Sequence, residues 1–164
     1  MVNWLGQMIQ NYISPDDSVL DLGCGIMQAT DDLKVKSILG CDVFPPYLEH
    51  IKHIWPTIRI GMDETWRFMD ESYDVVICLD VVEHLPKELA LQVIKECKRI
   101  CRKSAIIYTP NEFKDNKHAI DDSWGLGENI LHEHICLIEK VDFHSNGYHV
   151  DNPAGDGLLA TFDR

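Results

Sequence analysis

The fold is decided by the stretch Val19-Leu20-Asp21-Leu22-Gly23-Cys24-Gly25, an apolar run that ends in an acid and a glycine turn. Apolar residues of this kind before a turn predict a buried strand. Gly23 and Gly25 carry no Cβ, so the backbone can turn tightly there and a ligand can approach it closely. The stretch therefore predicts an α/β fold with a nucleotide-like ligand at the end of its first strand.

Two acidic residues narrow the class of ligand. Asp21 lies just before the glycine turn, where a carboxylate is unfavourable beside a pyrophosphate but suits a ligand with an ammonium group, held directly or through water. The next predicted strand, 37–42, ends in Asp42 about twenty residues further on, the spacing at which a carboxylate binds the two hydroxyls of a ribose. An ammonium group and a ribose together point to S-adenosylmethionine.

Further motifs follow in a fixed order, and with them the chain resembles the class I S-adenosylmethionine-dependent methyltransferases. The resemblance is to the large subgroup that carries Asp-Leu-Gly-Cys-Gly followed by Glu-His-Leu-Pro, and it covers most of the chain. The sequence departs from many members at Met27, where they have a third glycine. The matching segments are Val19 to Gly25, Gly40-Cys41-Asp42, Gly61-Met62-Asp63, Tyr73-Asp74-Val75-Val76, Asp80-Val81-Val82-Glu83-His84-Leu85-Pro86 and Thr109-Pro110-Asn111.

The resemblance implies a Rossmann-like, doubly wound α/β fold. Its sheet has seven mostly parallel strands in the order 3-2-1-4-5-7-6, with strand 7 antiparallel. The resemblance places Asp63 against the adenine amino group, with a helix cap as the alternative, and Met62 beside it can cover the ring. Trp66 is either a further wall of the adenine pocket or a core residue. For Asp80 we expect the backbone carbonyl to matter more than the carboxylate. The cofactor-binding residues expected are Asp21, Gly23, Cys24, Gly25, Asp42, Val43, Met62, Asp63 and Asp80.

Apolar periodicity independently predicts alternating helices and strands, as in a largely parallel sheet covered on both faces. An N-terminal helix within residues 1–14, ended by Pro15, should cover the cofactor. Gly147 to Phe162 predicts a closing hairpin. The other predicted helices are 28–34, one opened by Pro45-Pro46, 86–101 and 135–144, and the predicted strands after the second are 57–61, 73–79, 105–109, 147–150 and 158–162.

Length and composition predict one domain over residues 1–164. The formal net charge of −12 opposes a phosphate backbone, so we expect no nucleic-acid partner. No apolar run is long enough for a membrane span, and the N-terminal residues lack a signal-peptide pattern. These features predict a cytoplasmic protein, and the six cysteines without a Cys-x-x-Cys pair predict reduced thiols.

Two histidine motifs are candidates for catalysis. His84 titrates near neutral pH and is a candidate base, although its presence in relatives with diverse acceptors favours a structural or cofactor-lining role. His132, Glu133 and His134 resemble an acceptor-side loop, with a solvated loop as the alternative. A His-Glu-His triplet is compatible with a metal, but the spacing of a zinc-protease motif is absent, and we predict no metal.

Residues 112–134 are polar and irregular and directly follow the fifth strand. Long loops of this type commonly carry function. We expect this segment to act as a lid that binds the acceptor, with Trp124 as its anchor over the site.

The pattern as a whole predicts transfer of the cofactor's methyl group to a small-molecule acceptor by in-line displacement. Alignment of the reactants and exclusion of water supply much of the rate, and a base is needed only if the acceptor must lose a proton. Two alternatives stay open: a cofactor-binding module without transfer activity, and a nicotinamide-dependent oxidoreductase, which Asp21 and the missing third glycine disfavour.

Overall fold

A seven-stranded sheet forms the centre of the protein. The computed structural model describes residues 4–116, 124–153 and 155–164. The strands are β1 (Ser18–Leu22), β2 (Ser37–Asp42), β3 (Thr57–Arg59), β4 (Tyr73–Leu79), β5 (Cys101–Pro110), β6 (His149–Asp151) and β7 (Gly157–Asp163). The helices are α1 (Trp4–Ile9), α2 (Pro45–Ile51), α3 (Lys87–Ile100) and α4 (Lys140–His144), and short 3₁₀ turns span Gln10–Tyr12, Met62–Arg67, Val82–His84 and Ile130–His132.

The strand order is β3-β2-β1-β4-β5-β7-β6, as the sequence predicts. Strands β1 to β5 pair in parallel, and β7 pairs antiparallel with β5 and with β6. The closing hairpin is confirmed. None of the helices in the described part of the chain has the length and apolar character that crossing a membrane requires.

The central strand β4 explains why the sheet is covered on both faces. Successive side chains of a strand point to opposite faces, and Val75 and Ile77 pack with α1 and α2 while Val76 and Cys78 pack with α3. All four are fully buried. A continuous apolar run, instead of an alternating one, is therefore what this strand needs.

The predicted helix over 28–34 is wrong, because the chain forms successive turns there. Met27 has a φ of 59°, a left-handed conformation that cannot continue into a right-handed helix. The hydroxyl of Thr30 also donates a 2.9 Å hydrogen bond to Asp21. This connection is therefore fixed by side-chain contacts with β1 and by a backbone reversal at Met27.

The predicted helix over 135–144 is wrong in its first half. Only α4 is helical, because the backbone N–H groups of Ile135 and Cys136 donate to the carbonyl oxygen of Glu83, at 2.9 and 3.2 Å. These bonds hold the chain extended and leave it no helical ladder. The predicted helix 86–101 is confirmed as α3, and the strand predicted over 105–109 extends further, as β5.

Met27 provides a stability test of the first loop. Its side chain is buried, so Met27→Ala should lose about 2–5 kcal/mol of unfolding free energy. Met27→Gly removes the same side chain but relieves a left-handed backbone that costs an L-residue about 1–2 kcal/mol. We expect the wild type to have the highest melting temperature, the Gly variant a lower one and the Ala variant the lowest. A more stable Ala variant would contradict the left-handed conformation.

Candidate functional site

A cavity of about 790 Å³ opens at the carboxyl ends of β1, β2 and β4. Its volume falls in the roughly 300–1,000 Å³ range of small-molecule sites. Every predicted cofactor-binding residue lines this cavity, together with His84, His132 and Trp124. The sheet topology thus brings together residues that lie far apart in the sequence.

The glycine turn forms the floor of the cavity. Gly23 and Gly25 have φ values of 73° and 53°, which favour glycine over other residues. The N–H groups of Gly23 and Cys24 both donate to the carbonyl of Cys41, at 2.7 and 2.9 Å. A Cβ on Gly25 would lie 2.8 Å from the Trp124 ring, so this aromatic side chain lies directly over bare backbone.

Asp42 links the end of β2 to the glycine turn. One carboxylate oxygen accepts a 2.9 Å hydrogen bond from the N–H of Gly25, and the other accepts one of 2.8 Å from Phe44. The side chain is buried, and desolvation raises its pKa. Each carboxylate oxygen has two acceptor sites, so Asp42 can still accept two ribose hydroxyls. Its fixed position fits the sugar of the predicted cofactor.

Asp21 is an acid held in an apolar setting. It is 2% exposed, and the hydroxyl of Thr30 donates to it. Desolvation, opposed by the Thr30 bond and reinforced by Asp42, raises the pKa of Asp21 to about 7. A cationic group of a ligand would offset this desolvation. The arrangement fits the ammonium group of S-adenosylmethionine.

The residues predicted to bind adenine lie in the turn after β3. Met62 is buried, and Asp63 follows it at the edge of the cavity. The prediction for Trp66 is wrong in both of its forms: its side chain is 66% exposed and does not line the cavity. The guanidinium of Arg67 lies 5.9 Å from its ring centroid.

The end of β4 turns sharply into the cavity. Asp80 has a φ of 51°, a conformation that is uncommon for a residue other than glycine. Its N–H donates a 2.9 Å hydrogen bond to the carbonyl of Tyr108 on β5. This bond anchors the turn that leads to the Glu83-His84 motif.

Three histidines cluster on one wall of the cavity. The rings of His84 and His132 stack with centroids 5.6 Å apart, and His84 meets His134 edge to face at 4.8 Å. His84 Nδ1 lies 3.1 Å from the carbonyl oxygen of Glu133. Burial lowers the pKa of His84 to about 4, so its imidazole is neutral at pH 7 and a weak base.

His132 has a phenol partner that the sequence did not reveal. Its Nε2 lies 3.3 Å from the hydroxyl of Tyr47. That hydroxyl also accepts a 3.2 Å hydrogen bond from the side-chain amide of Asn129. Tyr47 belongs to α2, and the one available signal was its place after Pro45-Pro46, which marks a helix start but not a side-chain contact.

The predicted lid is described only in part. Residues 117–123 lie outside the described residues, and the lid over 112–134 stays a prediction. The described part places Trp124 against the glycine turn, with its indole N–H donating a 3.0 Å hydrogen bond to Gln28. Its ring also meets Tyr47 edge to face at 4.9 Å.

Comparisons with known proteins agree with this geometry. Residues 20–109 match the methyltransferase domain family. Over 98 residues, 57% of this chain, the sequence is 31% identical to the probable tRNA methyltransferase 9B of Mus musculus. The chain spans about a fifth of that relative's length, since the match covers 21% of it.

Two solved structures share the fold. A methyltransferase dependent on S-adenosylmethionine from Archaeoglobus fulgidus has a TM-score of 0.70 at 13% identity, covering 98% of this chain and 93% of that one. Magnesium protoporphyrin IX methyltransferase from Synechocystis, with bound S-adenosylhomocysteine, has a TM-score of 0.68 at 15% identity, covering 99% and 83%. The chain therefore belongs to the methyltransferase domain family.

Proposed function

We propose that this chain methylates a small-molecule acceptor. The observation that carries the proposal is a single cavity whose lining includes Asp21, Asp42 and His132. The two acids suit the cofactor, and His132 supplies an imidazole that can act as a base toward the acceptor. One cavity could thus bring both reactants into contact, as in-line transfer requires.

On this proposal, four parts of the cavity bind the cofactor. Asp42 accepts the ribose hydroxyls, and Asp21 faces the ammonium group. The glycine turn allows close approach of the backbone to the methionine part. Met62 and Asp63 bind the adenine.

The reaction needs little chemistry from the protein. The cofactor supplies a methyl group on a positively charged sulfur, which departs as a neutral thioether. As the bond from the acceptor atom to the methyl carbon forms, the sulfur–carbon bond breaks. If the acceptor atom carries a proton that it must lose, as in a hydroxyl group or an amine, that proton passes to a base.

We assign the base to His132 in preference to His84. The lowered pKa of His84 makes it a poor proton acceptor at neutral pH, and its Nδ1 is engaged by Glu133. His132 Nε2 contacts the hydroxyl of Tyr47, which orients the ring. A positioned general base contributes about 10²–10⁴-fold to a rate.

The charge of the site favours a small acceptor over RNA. RNA binding relies on lysine and arginine contacts with phosphates, whereas the chain has a net charge of −12. Among the described residues that line the cavity, Lys114 is the one lysine or arginine. The mouse relative's name makes tRNA the alternative acceptor, and the test must include it.

Formation of S-adenosylhomocysteine tests the proposal. The acceptors are a panel of phenols, carboxylic acids, amines and thiols, with bulk tRNA in a parallel arm. We expect turnover with a member of the panel, and His132→Ala should lower kcat about 100-fold or more while leaving cofactor affinity intact. The matched control is His53→Ala, since His53 is exposed and does not line the cavity.

Three outcomes would contradict parts of the proposal. Turnover with tRNA and with no member of the panel would show that the acceptor is RNA and not a small molecule. Cofactor binding without turnover on either arm would favour the binding module. An equal kcat in the His132→Ala and His53→Ala variants, on an acceptor that loses a proton, would remove His132 as the base.

A further inference from the structure

We propose that Glu83, His84 and His134 form a binding site for a divalent transition-metal ion of the Zn²⁺ class. One ligand atom from each of these side chains lies within 4.8 Å of the other two. Two imidazoles and a carboxylate are the ligand set of many catalytic zinc sites, which keep a fourth position open for water or substrate. His134 is distant in the chain from the adjacent pair Glu83-His84, and the three residues meet only in the fold.

One oxygen of the buried Glu83 carboxylate is available to bind a metal ion. The residue is 3% exposed, and one of its oxygens accepts a 2.9 Å hydrogen bond from the hydroxyl of Thr109. Within the described part of the chain, its other oxygen is buried and has no hydrogen-bond partner. A buried carboxylate oxygen without a partner costs free energy, and a bound cation would remove that cost.

The imidazole of His84 is held in the form that a metal needs. Its Nδ1 lies 3.1 Å from the carbonyl oxygen of Glu133, and since a carbonyl can only accept, Nδ1 carries the proton. Nε2 then keeps its lone pair for coordination. A ligating histidine that donates its other N–H to a carbonyl is the usual arrangement around protein metals.

The segment that carries His134 is fixed to the Glu83-His84 motif by backbone bonds. Ile135 and Cys136 both donate to the carbonyl of Glu83. On the other side, the Asn116 side chain donates 2.6 Å to the carbonyl of His132 and accepts 2.6 Å from the N–H of His134. The three side chains are therefore brought together before any ion binds, which lowers the entropic cost of binding.

The distances between the three ligand atoms would have to shorten for zinc to bind. Zinc bonds of about 2.0–2.2 Å in a tetrahedral site place ligand atoms about 3.4 Å apart. The ligand atoms here lie within 4.8 Å of one another, so side-chain rotations close the remaining gap. Imidazole ligands favour Zn²⁺ and its neighbours over Mg²⁺ or Ca²⁺, which prefer oxygen.

All three residues line the cavity that holds the predicted cofactor residues. The open coordination position would therefore face the acceptor side of that cavity. Resting on the proposed function, we infer that an acceptor with an oxygen or nitrogen donor would bind there. Metal coordination would orient that donor toward the methyl group.

Titration of untagged, chelator-treated protein with Zn²⁺ against a chromophoric chelator tests the site. We expect one saturable ion per chain, and Co²⁺ substitution should give the intense visible absorption of tetrahedral coordination. Glu83→Gln and His134→Gln should each weaken binding about 100-fold or more, since losing a group that only hydrogen-bonds to a metal ligand already costs about 10–100-fold. His53→Ala, which alters an exposed histidine outside the cavity, should bind Zn²⁺ as the wild type does.

Binding of S-adenosylmethionine by each variant, in metal-free buffer, separates this inference from the proposed function. Folded variants that still bind the cofactor but lose Zn²⁺ support the metal site. Equal Zn²⁺ affinity in all four proteins, or no saturable binding in a wild type that binds the cofactor, would overturn it. Because His134 is only half-buried, His134→Gln keeps the test valid should Glu83→Gln fail to fold.

Discussion

Asp42→Ala should lower the affinity for S-adenosylmethionine by roughly 100-fold or more. The change removes two hydrogen bonds from the ribose to a charged group, each worth about 1.5–3 kcal/mol. It also removes the acceptor for the N–H groups of Gly25 and Phe44, which should loosen the glycine turn proposed to contact the cofactor. Both effects act on binding, so the loss should appear in Kd for S-adenosylmethionine and S-adenosylhomocysteine alike.

Calorimetric titration of the folded variant measures this loss. Asp32→Ala is a matched control, because Asp32 is an exposed acid that does not line the cavity. Asp63→Ala should cost less than Asp42→Ala, since adenine keeps its contact with Met62. An unchanged Kd in a folded Asp42→Ala protein would refute the ribose assignment, and a larger loss for Asp63→Ala would reverse the ranking of the two acids.

Local patterns predicted the floor of the cavity. Each strand that ends in a predicted cofactor-binding acid is a short apolar run, and the carboxyl ends of parallel strands meet at one edge of the sheet. Strand order and the positions of Asp21 and Asp42 therefore followed from the pattern together with the family resemblance. The glycine turn was predictable from residue type, because glycine readily adopts positive φ values. Gly23 and Gly25 do adopt such values in the structure.

The histidine wall could not be predicted in the same way. His84 and His134 meet because Ile135 and Cys136 pair with the backbone of Glu83, a contact that apolar periodicity does not encode. The same pairing explains why 135–139 are extended although their sequence favours a helix. The Tyr47–His132 contact likewise joins α2 to a distant loop, and neither residue type predicts such a contact.

At pH 7.5, Asp21→Asn should stabilise the ligand-free protein and weaken its binding of the cofactor. The pKa of Asp21 rises from 3.8 to about 7 on folding, so the folded protein holds this proton more tightly than the unfolded chain does. Between about pH 4 and pH 7 its contribution to unfolding free energy therefore falls as pH rises, by on the order of 4 kcal/mol in total. Asparagine does not titrate and can still accept the Thr30 hydroxyl. The ligand-free variant should thus be more stable than wild type at pH 7.5, and the difference should shrink toward pH 5.

Cofactor affinity should follow the reverse course, because the ammonium group needs the ionised carboxylate. We expect Asp21→Asn to weaken S-adenosylmethionine binding about 10- to 100-fold at pH 7.5, the cost of a hydrogen bond to a charged group. Near pH 5 the wild type is protonated at Asp21, and the two affinities should converge. Thermal melts and calorimetric titrations on both proteins across this range measure the two effects, with Asp32→Ala as the control at each pH. A stability difference that does not depend on pH would show that the Asp21 carboxyl keeps an ordinary pKa, whereas a stabilised variant with unchanged affinity would show that the cofactor's ammonium group lies elsewhere.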